Sequence, residues 1–184
     1  MKIAITGNRN GIGESLSNIF KAHGHTVVGF NRSNGFDISI PVSRQTIVEL
    51  SADADIFINN AYSIDHPFAQ TEMLFDIWES WQGQKRTVVN ITSSITERWQ
   101  NTFRELRYRT AKQSIEDACE FLWNKEPWPH LMRVAPCKTS TPRTAGAPDT
   151  NMANPDEFAK LVYHALMQTN FRVQTLNLAV NPVE

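Results

Sequence analysis

Tyr108 and Lys112 stand four residues apart in a segment whose apolar residues recur with helical spacing. Side chains at positions i and i+4 share one face of a helix, so this spacing predicts an ammonium beside a phenol. A free phenol has a pKa near ~10, and an ammonium about 4 Å away favours the phenolate by up to ~4 kcal/mol at an effective dielectric constant of ~20. The upper value corresponds to a pKa lowered by up to ~3 units, which suits proton exchange with a carbonyl or alcohol oxygen.

Two serines, Ser93 and Ser94, follow a predicted buried strand over residues 86–92, upstream of this tyrosine. A hydroxyl at the end of a neighbouring strand could hold the same substrate oxygen. The residues alone leave open which of the two serines does so.

The first twenty residues contain the element that must position this chemistry. Residues 2–6 are typical of a short buried strand, and a helix with apolar residues at Ile12, Leu16, Ile19 and Phe20 follows a glycine-rich turn. Strand, turn and helix in this order form an anion site, because the turn admits a phosphate and the helix N-terminus directs free N–H groups at it. The predicted cofactor residues of the turn are Gly7, Asn8, Arg9, Asn10, Gly11, Ile12 and Gly13.

A second strand over residues 26–30 completes a parallel βαβ unit, and the residues after this strand select the cofactor. A carboxylate at this strand end binds the adenosine ribose hydroxyls, whereas a basic residue accommodates a 2′-phosphate. Here Asn31 and Arg32 follow the strand, and Arg9 could reach the same phosphate. This pattern favours NADP over NAD. The alternative is that both arginines are solvated loop residues.

Two further strand ends contribute predicted cofactor residues. Residues 35–38 are interpreted as a short third strand that brings Asp37 and Ile38 to the site, with Asp37 bonding an adenine amino group. A strand over residues 55–58 ends in the next predicted group, Asn59, Asn60 and Ala61. Asparagine amides at the carboxyl edge of a parallel sheet can tie adjacent strands and touch a bound cofactor.

Strands and helices alternate along the chain, which predicts an α/β fold with a doubly wound parallel sheet in three α/β/α layers. We expect one Rossmann-like domain over residues 1–184. The remaining predicted elements are helices over residues 41–53, 71–82, 97–124 and 155–168, and strands over residues 130–135 and 173–180.

Composition and charge exclude several classes of function. Hydrophobic residues make up 41% of the chain, charged residues 20%, and the formal net charge is −1, so neither nucleic acid nor a membrane surface is an expected partner. The sequence has no apolar run of membrane-spanning length and no apolar signal region near its start, which predicts a cytoplasmic protein. The two cysteines and five histidines lack disulfide-framework or metal-ligand spacing, so we expect no metal.

The motifs together resemble those of the short-chain dehydrogenase/reductase family. They are Thr6-Gly7-x-x-x-Gly11-Ile12-Gly13, Asn59-Asn60-Ala61, Val89-Asn90-Ile91-Thr92-Ser93-Ser94 and Tyr108-x-x-x-Lys112, with Pro136 and Thr141 in the segment that resembles the nicotinamide contact. The resemblance implies that Tyr108 is the proton donor and acceptor, that Lys112 lowers its pKa and binds the nicotinamide ribose, and that a serine polarises the substrate oxygen. It also implies a homodimer or homotetramer formed through the helices over residues 71–82 and 97–124.

The segment between the second and third motifs is shortened relative to the family, because Asn59 and Asn90 are only 31 positions apart. The family's catalytic asparagine, on the helix before the serine strand, has no evident match here. Asp76 and Glu79 are the polar candidates at that place.

Two positions near the substrate also depart from the family spacing. Register counted from Asn90 favours Ser93, whereas counting back from Tyr108 comes closer to the family spacing at Ser94. We assign Ser93, because strand register is less elastic than a loop. The glycine that the family has after its proline is replaced by Cys137, which we interpret as a small buried residue rather than a reactive thiol.

Three groups have two interpretations each. The apolar stripe over residues 71–82 is a core face or partly a subunit contact, and residues 138–154 are a substrate lid or a plain surface loop. Arginines with Trp99 and Phe103 between them form an anion clamp or a solvated helix face. These arginines are Arg98, Arg104, Arg107 and Arg109.

The sequence thus predicts an NADP-dependent oxidoreductase that transfers a hydride between nicotinamide and a small carbonyl or alcohol substrate. The alternative from another class is a non-catalytic NADP(H)-binding sensor or regulatory protein. A sugar-nucleotide epimerase or dehydratase would use the same tyrosine and lysine, but those relatives usually have a different glycine spacing and a larger C-terminal region.

Overall fold

A six-stranded, wholly parallel sheet with strand order β2-β1-β3-β4-β5-β6 forms the centre of the protein. The computed structural model describes residues 1–97, 102–137, 139 and 152–179. The strands are β1 (Lys2–Thr6), β2 (Thr26–Phe30), β3 (Ile56–Asn59), β4 (Thr87–Ile91), β5 (His130–Ala135) and β6 (Thr175–Asn177). The helices are α1 (Gly11–Ala22), α2 (Pro41–Leu50), α3 (Ala69–Trp81), α4 (Phe103–Trp123) and α5 (Pro155–Leu166).

Helices cover both faces of the sheet, as the α/β/α prediction requires. Successive residues of a strand point to opposite faces. Ile3 and Ile5 of β1 therefore pack in one core with α1 and α5, whereas Ala4 packs in a second core with α2, α3 and α4. Burial on both faces explains why the central strands are continuous apolar runs.

The chain reverses its direction across the sheet at β1. It moves outward from β1 to β2, then returns to the other side of β1 to form β3 and continues to β6. In open parallel sheets a crevice forms at such a switch point, outside the carboxyl ends of the strands. The loops that follow β1 and β3 therefore line the expected ligand crevice.

The turn after β1 is packed tightly against the start of α1. Gly7 has φ +68° and Gly11 has φ +57°, which few residues other than glycine adopt. A Cβ on Gly13 would lie 2.2 Å from the carbonyl oxygen of Gly7 and 2.6 Å from Nδ2 of Asn60. The helix N-terminus can approach the strand this closely only because residue 13 lacks a side chain.

The prediction of a strand over residues 35–38 is wrong. A short 3₁₀ helix, Arg32–Asn34, stands before this segment. Asn31 and Asn34 cap this helix reciprocally, since Oδ1 of Asn31 accepts the Ser33 N–H at 3.1 Å and Oδ1 of Asn34 accepts the Asn31 N–H at 2.8 Å. Gly35 then turns the chain at φ 92°. Because residues 35–38 form no strand, the strand over residues 130–135 is the fifth of the sheet and not the sixth.

Several element boundaries also differ from prediction. Helix α4 begins at Phe103 rather than near residue 97, because Thr102 caps it. Oγ1 of Thr102 accepts the Glu105 N–H, and the Glu105 carboxylate accepts the Thr102 N–H. Helix α3 begins two residues earlier than expected, at Ala69, which places Gln70 inside the helix. Strand β6 is shorter than predicted, and α5 begins at Pro155, with Asn154 as its cap.

Five apolar residues of the α3 stripe belong to the core, so the interpretation that they contact another subunit is wrong. All are buried in the cluster that α3 shares with α2 and α4; they are Met73, Leu74, Ile77, Trp78 and Trp81. Among the helices that the structure describes, none has both the length and the apolar character needed to cross a membrane.

Replacing Gly13 by Ala should lower the free energy of unfolding by about 1–3 kcal/mol, because the added methyl overlaps backbone that cannot move cheaply. Chemical denaturation followed by tryptophan fluorescence measures this loss. Gly24→Asn is the control, because Gly24 has φ +77° but open space around it, and asparagine tolerates that conformation. Equal stability of the Gly13→Ala variant and the parent would contradict the close packing of the turn.

Candidate functional site

The carboxyl ends of β1 and β3 are joined by side-chain hydrogen bonds. Oγ1 of Thr6 accepts the backbone N–H groups of Asn60 and Ala61, both at 3.0 Å. Nδ2 of Asn60 donates to the carbonyl oxygens of Thr6 and Gly7, also at 3.0 Å. The asparagine therefore ties the two strands together, in the way that the motif after β3 predicted.

A first cleft of about 650 Å³ lies over the ends of β1 and β2, and we call it the arginine cleft. The predicted residues Arg9 and Arg32 both line it. Its full lining is Gly7, Arg9, Asn10, Phe30, Asn31, Arg32, Ser33, Phe36, Asp37, Ile38, Asn60, Ala61 and Tyr62. Three of the seven predicted turn residues and all four predicted residues after β2 are thus brought to one surface.

Arg32 is held at the rim of the arginine cleft by two contacts. Its Nε lies 2.9 Å from a carboxylate oxygen of Asp37, and its Nη2 donates to Ser63 at 3.2 Å. The other Asp37 oxygen accepts the backbone N–H and the hydroxyl of Ser39. Burial raises the pKa of the Asp37 carboxyl, but the hydrogen bonds from Ser39 and the neighbouring guanidinium hold it below its ordinary value. This carboxylate stays charged beside the arginine.

Asn8 has a structural contact that the sequence analysis did not predict. Its Oδ1 accepts a hydrogen bond from Nδ2 of Asn31 at 2.9 Å, and a Cβ on Gly29 would lie 1.9 Å from its Nδ2. The Asn8 side chain therefore packs over β2 and fixes the turn to the neighbouring strand.

A second cleft of about 320 Å³ adjoins the first, and we call it the tyrosine cleft. It is lined by Asn10, Gly11, Ile12, Asn60, Tyr62, Ile91, Thr92, Tyr108, Lys112 and Pro136. The two clefts share Asn10, Asn60 and Tyr62. Together they form one groove that runs along the carboxyl edge of the sheet, from Asp37 to Pro136.

Lys112 is buried at the base of the tyrosine cleft, where only 3% of the residue is exposed. Its Nζ donates to Oε1 of Gln70 at 2.7 Å and to the carbonyl oxygen of Ile91 at 2.8 Å. The ammonium lies 5.6 Å from the ring centroid of Tyr108 and 5.5 Å from that of Tyr62. The two tyrosine rings meet edge to face at 4.9 Å, so both flank this cation.

The two serines that follow β4 come directly after the cleft residues Ile91 and Thr92 in the sequence. The residue of this segment that lines the cleft is Thr92, whose hydroxyl donates to the carbonyl oxygen of Val134 at 3.2 Å. Oγ of Ser93 accepts the backbone N–H of Ile95 at 3.3 Å, and the N–H of Ser94 donates to the carbonyl oxygen of Pro136. The assignment of Ser93 as the catalytic serine stays a prediction.

The sequence analysis missed two residues of this region. Tyr62 lines both clefts. The other is Gln70, which accepts the hydrogen bond from Lys112. It continues the buried stripe of α3 one turn towards the N-terminus, at i−4 from Leu74, and this spacing was the available signal. The predicted start of the helix at residue 71 left Gln70 outside it and concealed that signal.

Asp76 and Glu79 were the candidates for the place of the family's catalytic asparagine, and neither lines the tyrosine cleft. Asp76 accepts a hydrogen bond from Nε of the buried Arg44 at 2.7 Å, on the side of α3 that faces α2, and Glu79 is exposed. The Arg44 guanidinium also reaches Glu72 at 2.8 Å and the carbonyl oxygen of Ile38 at 3.0 Å. Asp76 therefore joins two helices.

The two cysteines are buried. Burial raises the pKa of Cys119 to about 12, and its Sγ accepts a hydrogen bond from Nδ2 of Asn90 at 3.4 Å. Cys137 follows the cleft residue Pro136 and is 7% exposed. Within the described part of the chain, no group of three or more His, Cys, Asp and Glu residues is arranged to hold a metal ion.

The arginine cluster near Tyr108 is only partly described. Arg104 and Arg107 are exposed on α4, as a solvated helix face would be, and Nε of Arg109 donates to the carbonyl oxygen of Thr96 at 3.1 Å. Arg98, Trp99, Thr141 and most of the proposed lid, including residues 140–151, lie outside the described residues.

Comparison with known proteins gives similarity at the level of structure. No protein-family model matches the chain, and no curated protein matches it in sequence. A short-chain dehydrogenase/reductase from Vibrio parahaemolyticus superimposes with a TM-score of 0.85 at 17% identity, over 98% of this chain and 100% of that one.

Two further structures agree with this similarity. The 3-alpha-hydroxysteroid dehydrogenase from Pseudomonas sp. B-0831, complexed with NADH, has a TM-score of 0.78 at 20% identity over 97% of this chain and 95% of that one. The alcohol dehydrogenase from the archaeon Thermococcus sibiricus, complexed with 5-hydroxy-NADP, has a TM-score of 0.79 at 17% identity over 97% and 96%. From its strand order and its agreement with these structures over nearly the whole chain, the protein has the fold of the short-chain dehydrogenases/reductases.

Proposed function

We propose that this protein is a short-chain dehydrogenase/reductase that transfers a hydride between a nicotinamide dinucleotide and a small carbonyl or alcohol substrate. The observation that carries the proposal is the continuous groove with a phenol and a buried ammonium at one end and two arginines at the other. In this proposal the chain acts as one dinucleotide-binding domain.

The groove suits an extended dinucleotide. The N-terminus of α1 and its glycine turn stand at the junction of the two clefts, where a pyrophosphate would meet free backbone N–H groups. The arginine cleft would hold the adenosine end, and the tyrosine cleft would hold the nicotinamide end. The cofactor supplies or accepts the hydride; the fold neighbours from Pseudomonas and Thermococcus were solved with NADH and 5-hydroxy-NADP.

We assign the proton transfer to Tyr108. The Lys112 ammonium lies 5.6 Å from the ring centroid of Tyr108, and its positive charge favours the phenolate. The tyrosine would give its proton to a carbonyl oxygen during reduction and take it back during oxidation. Ser93 is the residue proposed to hold the substrate oxygen.

NADP is the cofactor that we favour over NAD. The Arg32 side chain is 61% exposed and lines the arginine cleft, and Arg9 lines the same cleft. A guanidinium matches a phosphate in both geometry and charge. Asp37 opposes this preference in part, because its carboxylate already pairs with Nε of Arg32.

A homodimer or homotetramer is also part of the proposal. Large apolar side chains are exposed on the two helices that the family resemblance assigns to subunit contact. Phe75 is exposed on α3, and Phe103, Leu106 and Phe121 are exposed on α4. A second copy of the chain that covers them would remove this apolar area from water.

Calorimetric titration should give tighter binding of NADP⁺ than of NAD⁺. Arg32→Ala should weaken NADP⁺ binding by about tenfold or more, because a charge-assisted phosphate contact is lost, and should change NAD⁺ binding by less than about threefold. Arg172→Ala is the control, because it removes the same charge beside Trp128, next to the amino end of β5. Tighter binding of NAD⁺, or equal loss for both cofactors, would overturn the preference.

Tyr108→Phe should reduce the oxidation of NADPH with small ketones and aldehydes by about 10²–10⁴-fold, because a positioned acid–base group is removed. The decrease in NADPH absorbance, followed at saturating cofactor, measures this loss. Tyr163→Phe is the matched control, since Tyr163 packs against Phe20 and His23 near α1 and α5. Undiminished turnover in the Tyr108 variant would refute the assignment, and tight cofactor binding without turnover in the parent would favour the sensor alternative.

A further inference from the structure

Gln70 joins three elements below the tyrosine cleft. It is the second residue of α3, it is completely buried, and it lies between the ends of β3 and β4 and the side of α4 that carries Lys112. A buried primary amide requires several hydrogen-bond partners. Its contacts therefore define its orientation.

Two carbonyl groups fix which way the Gln70 amide points. Its Nε2 donates to the carbonyl oxygen of Asn59 at 2.7 Å and to that of Ile91 at 3.0 Å. Carbonyl oxygens accept hydrogen bonds and cannot donate them, so the NH₂ group must face the two strand ends. Oε1 is thereby directed at Nζ of Lys112, which donates to it at 2.7 Å.

The carbonyl oxygen of Ile91 serves both side chains. It accepts from Gln70 at 3.0 Å and from Lys112 at 2.8 Å. The ammonium is therefore anchored to the end of β4 directly and through the amide. Lys112 lies one helical turn after Tyr108, so the same anchors set the distance between the ammonium and the phenol.

The chemistry of the position favours an amide over the alternatives. A carboxylate could accept from Lys112, but its other oxygen would face two carbonyl oxygens at hydrogen-bond distance without a proton between them. It would also place a negative charge against the ammonium and so reduce the favourable effect of that ammonium on a phenolate. An apolar side chain of the same length could make neither contact.

We propose that Gln70 is a positioning residue, which holds the Lys112 ammonium beside Tyr108 through a neutral acceptor. The proposal deepens the proposed function and rests on it, because it assigns a role within the proton transfer of Tyr108. Gln70 itself is not proposed to touch substrate or cofactor.

Other ionisable groups could influence the same phenol. Charged and titratable side chains reach this region from the loop after β3, from α4 and from β5. Besides Lys112 itself, they are Tyr62, Arg109, Glu116 and Arg133. Glu116 lies one turn beyond Lys112, where Oε1 accepts from Thr96 and Oε2 lies 3.8 Å from Nη1 of Arg133.

The test measures the ionisation of Tyr108 directly by ultraviolet absorbance of tyrosinate. The chain has 3 tyrosines, and subtraction of the Tyr108→Phe variant in each background isolates the signal of Tyr108. Gln70→Glu should raise the apparent pKa of Tyr108 by about one unit or more through its added charge. Gln70→Met should raise it by about half a unit or more, because the ammonium is held less firmly.

Gln113→Glu is the matched control. It makes the same exchange of amide for carboxylate on α4, at a side chain that bonds Asp117 on the exposed side. We expect its effect on Tyr108 to be less than about a third of that of Gln70→Glu, since exposed charges are screened. Circular dichroism checks folding, and Gln70→Met decides the proposal if the carboxylate variant does not fold.

An unchanged ionisation of Tyr108 in both Gln70 variants would overturn the proposal, and so would an equal effect of Gln113→Glu. The titration needs neither cofactor nor turnover, so its failure is separate from that of the proposed function. In an active enzyme, the apparent pKa on the acidic side of the pH–rate profile for alcohol oxidation should rise together with the pKa of Tyr108. If the ionisation shifts as expected but the parent shows no turnover, the positioning role stands and the oxidoreductase proposal fails.

Discussion

The hydrogen bonds between the carboxyl ends of β1 and β3 hold the groove together. The loops that follow these two strands lead away in opposite directions along the sheet, which leaves a gap between them. Thr6 and Asn60 close the gap at its base, with four hydrogen bonds of 3.0 Å each. Asn60 also lines both clefts. The shape of the glycine turn and the position of the groove floor therefore depend on the hydrogen bonds of these two side chains.

A chain of buried polar side chains extends from this floor towards α4. Nζ of Lys112 donates to Gln70, Nδ2 of Asn59 donates to Oδ1 of Asn90, and Nδ2 of Asn90 donates to Sγ of Cys119. Nδ2 of Asn59 donates to the backbone carbonyl oxygen of Gln70, and Nε2 of Gln70 donates to that of Asn59, which connects the two parts. Burying such groups is costly unless they are paired, so the network favours one relative placement of α3, β3, β4 and α4.

Contacts on both sides of α3 keep this helix in position. Arg44 of α2 binds the carboxylates of Glu72 and Asp76 on one side. On the other side, the hydroxyls of Thr71 and Ser114 form a hydrogen bond of 2.7 Å to α4. Gln70 precedes Thr71 directly, so the placement of its amide is coupled to the packing of three helices. A buried cation beside a phenol requires this rigidity, because an electrostatic effect depends on the distance between the charges.

Features that follow from local rules could be predicted before the fold was known. Apolar periodicity and the order of elements predicted the parallel α/β sheet, and spacing of four placed Tyr108 and Lys112 on one helix face. The contacts between distant groups became visible in the folded chain alone: Gln70 with Lys112 across 42 residues, Arg44 with Asp76, and Arg32 with Asp37. Periodicity fixes the face on which a side chain lies, but the packing of separate elements sets its partners. The packing of α3 between α2 and α4 shows that Asp76 pairs with Arg44 and that Gln70 binds Lys112, which the sequence pattern of α3 did not reveal.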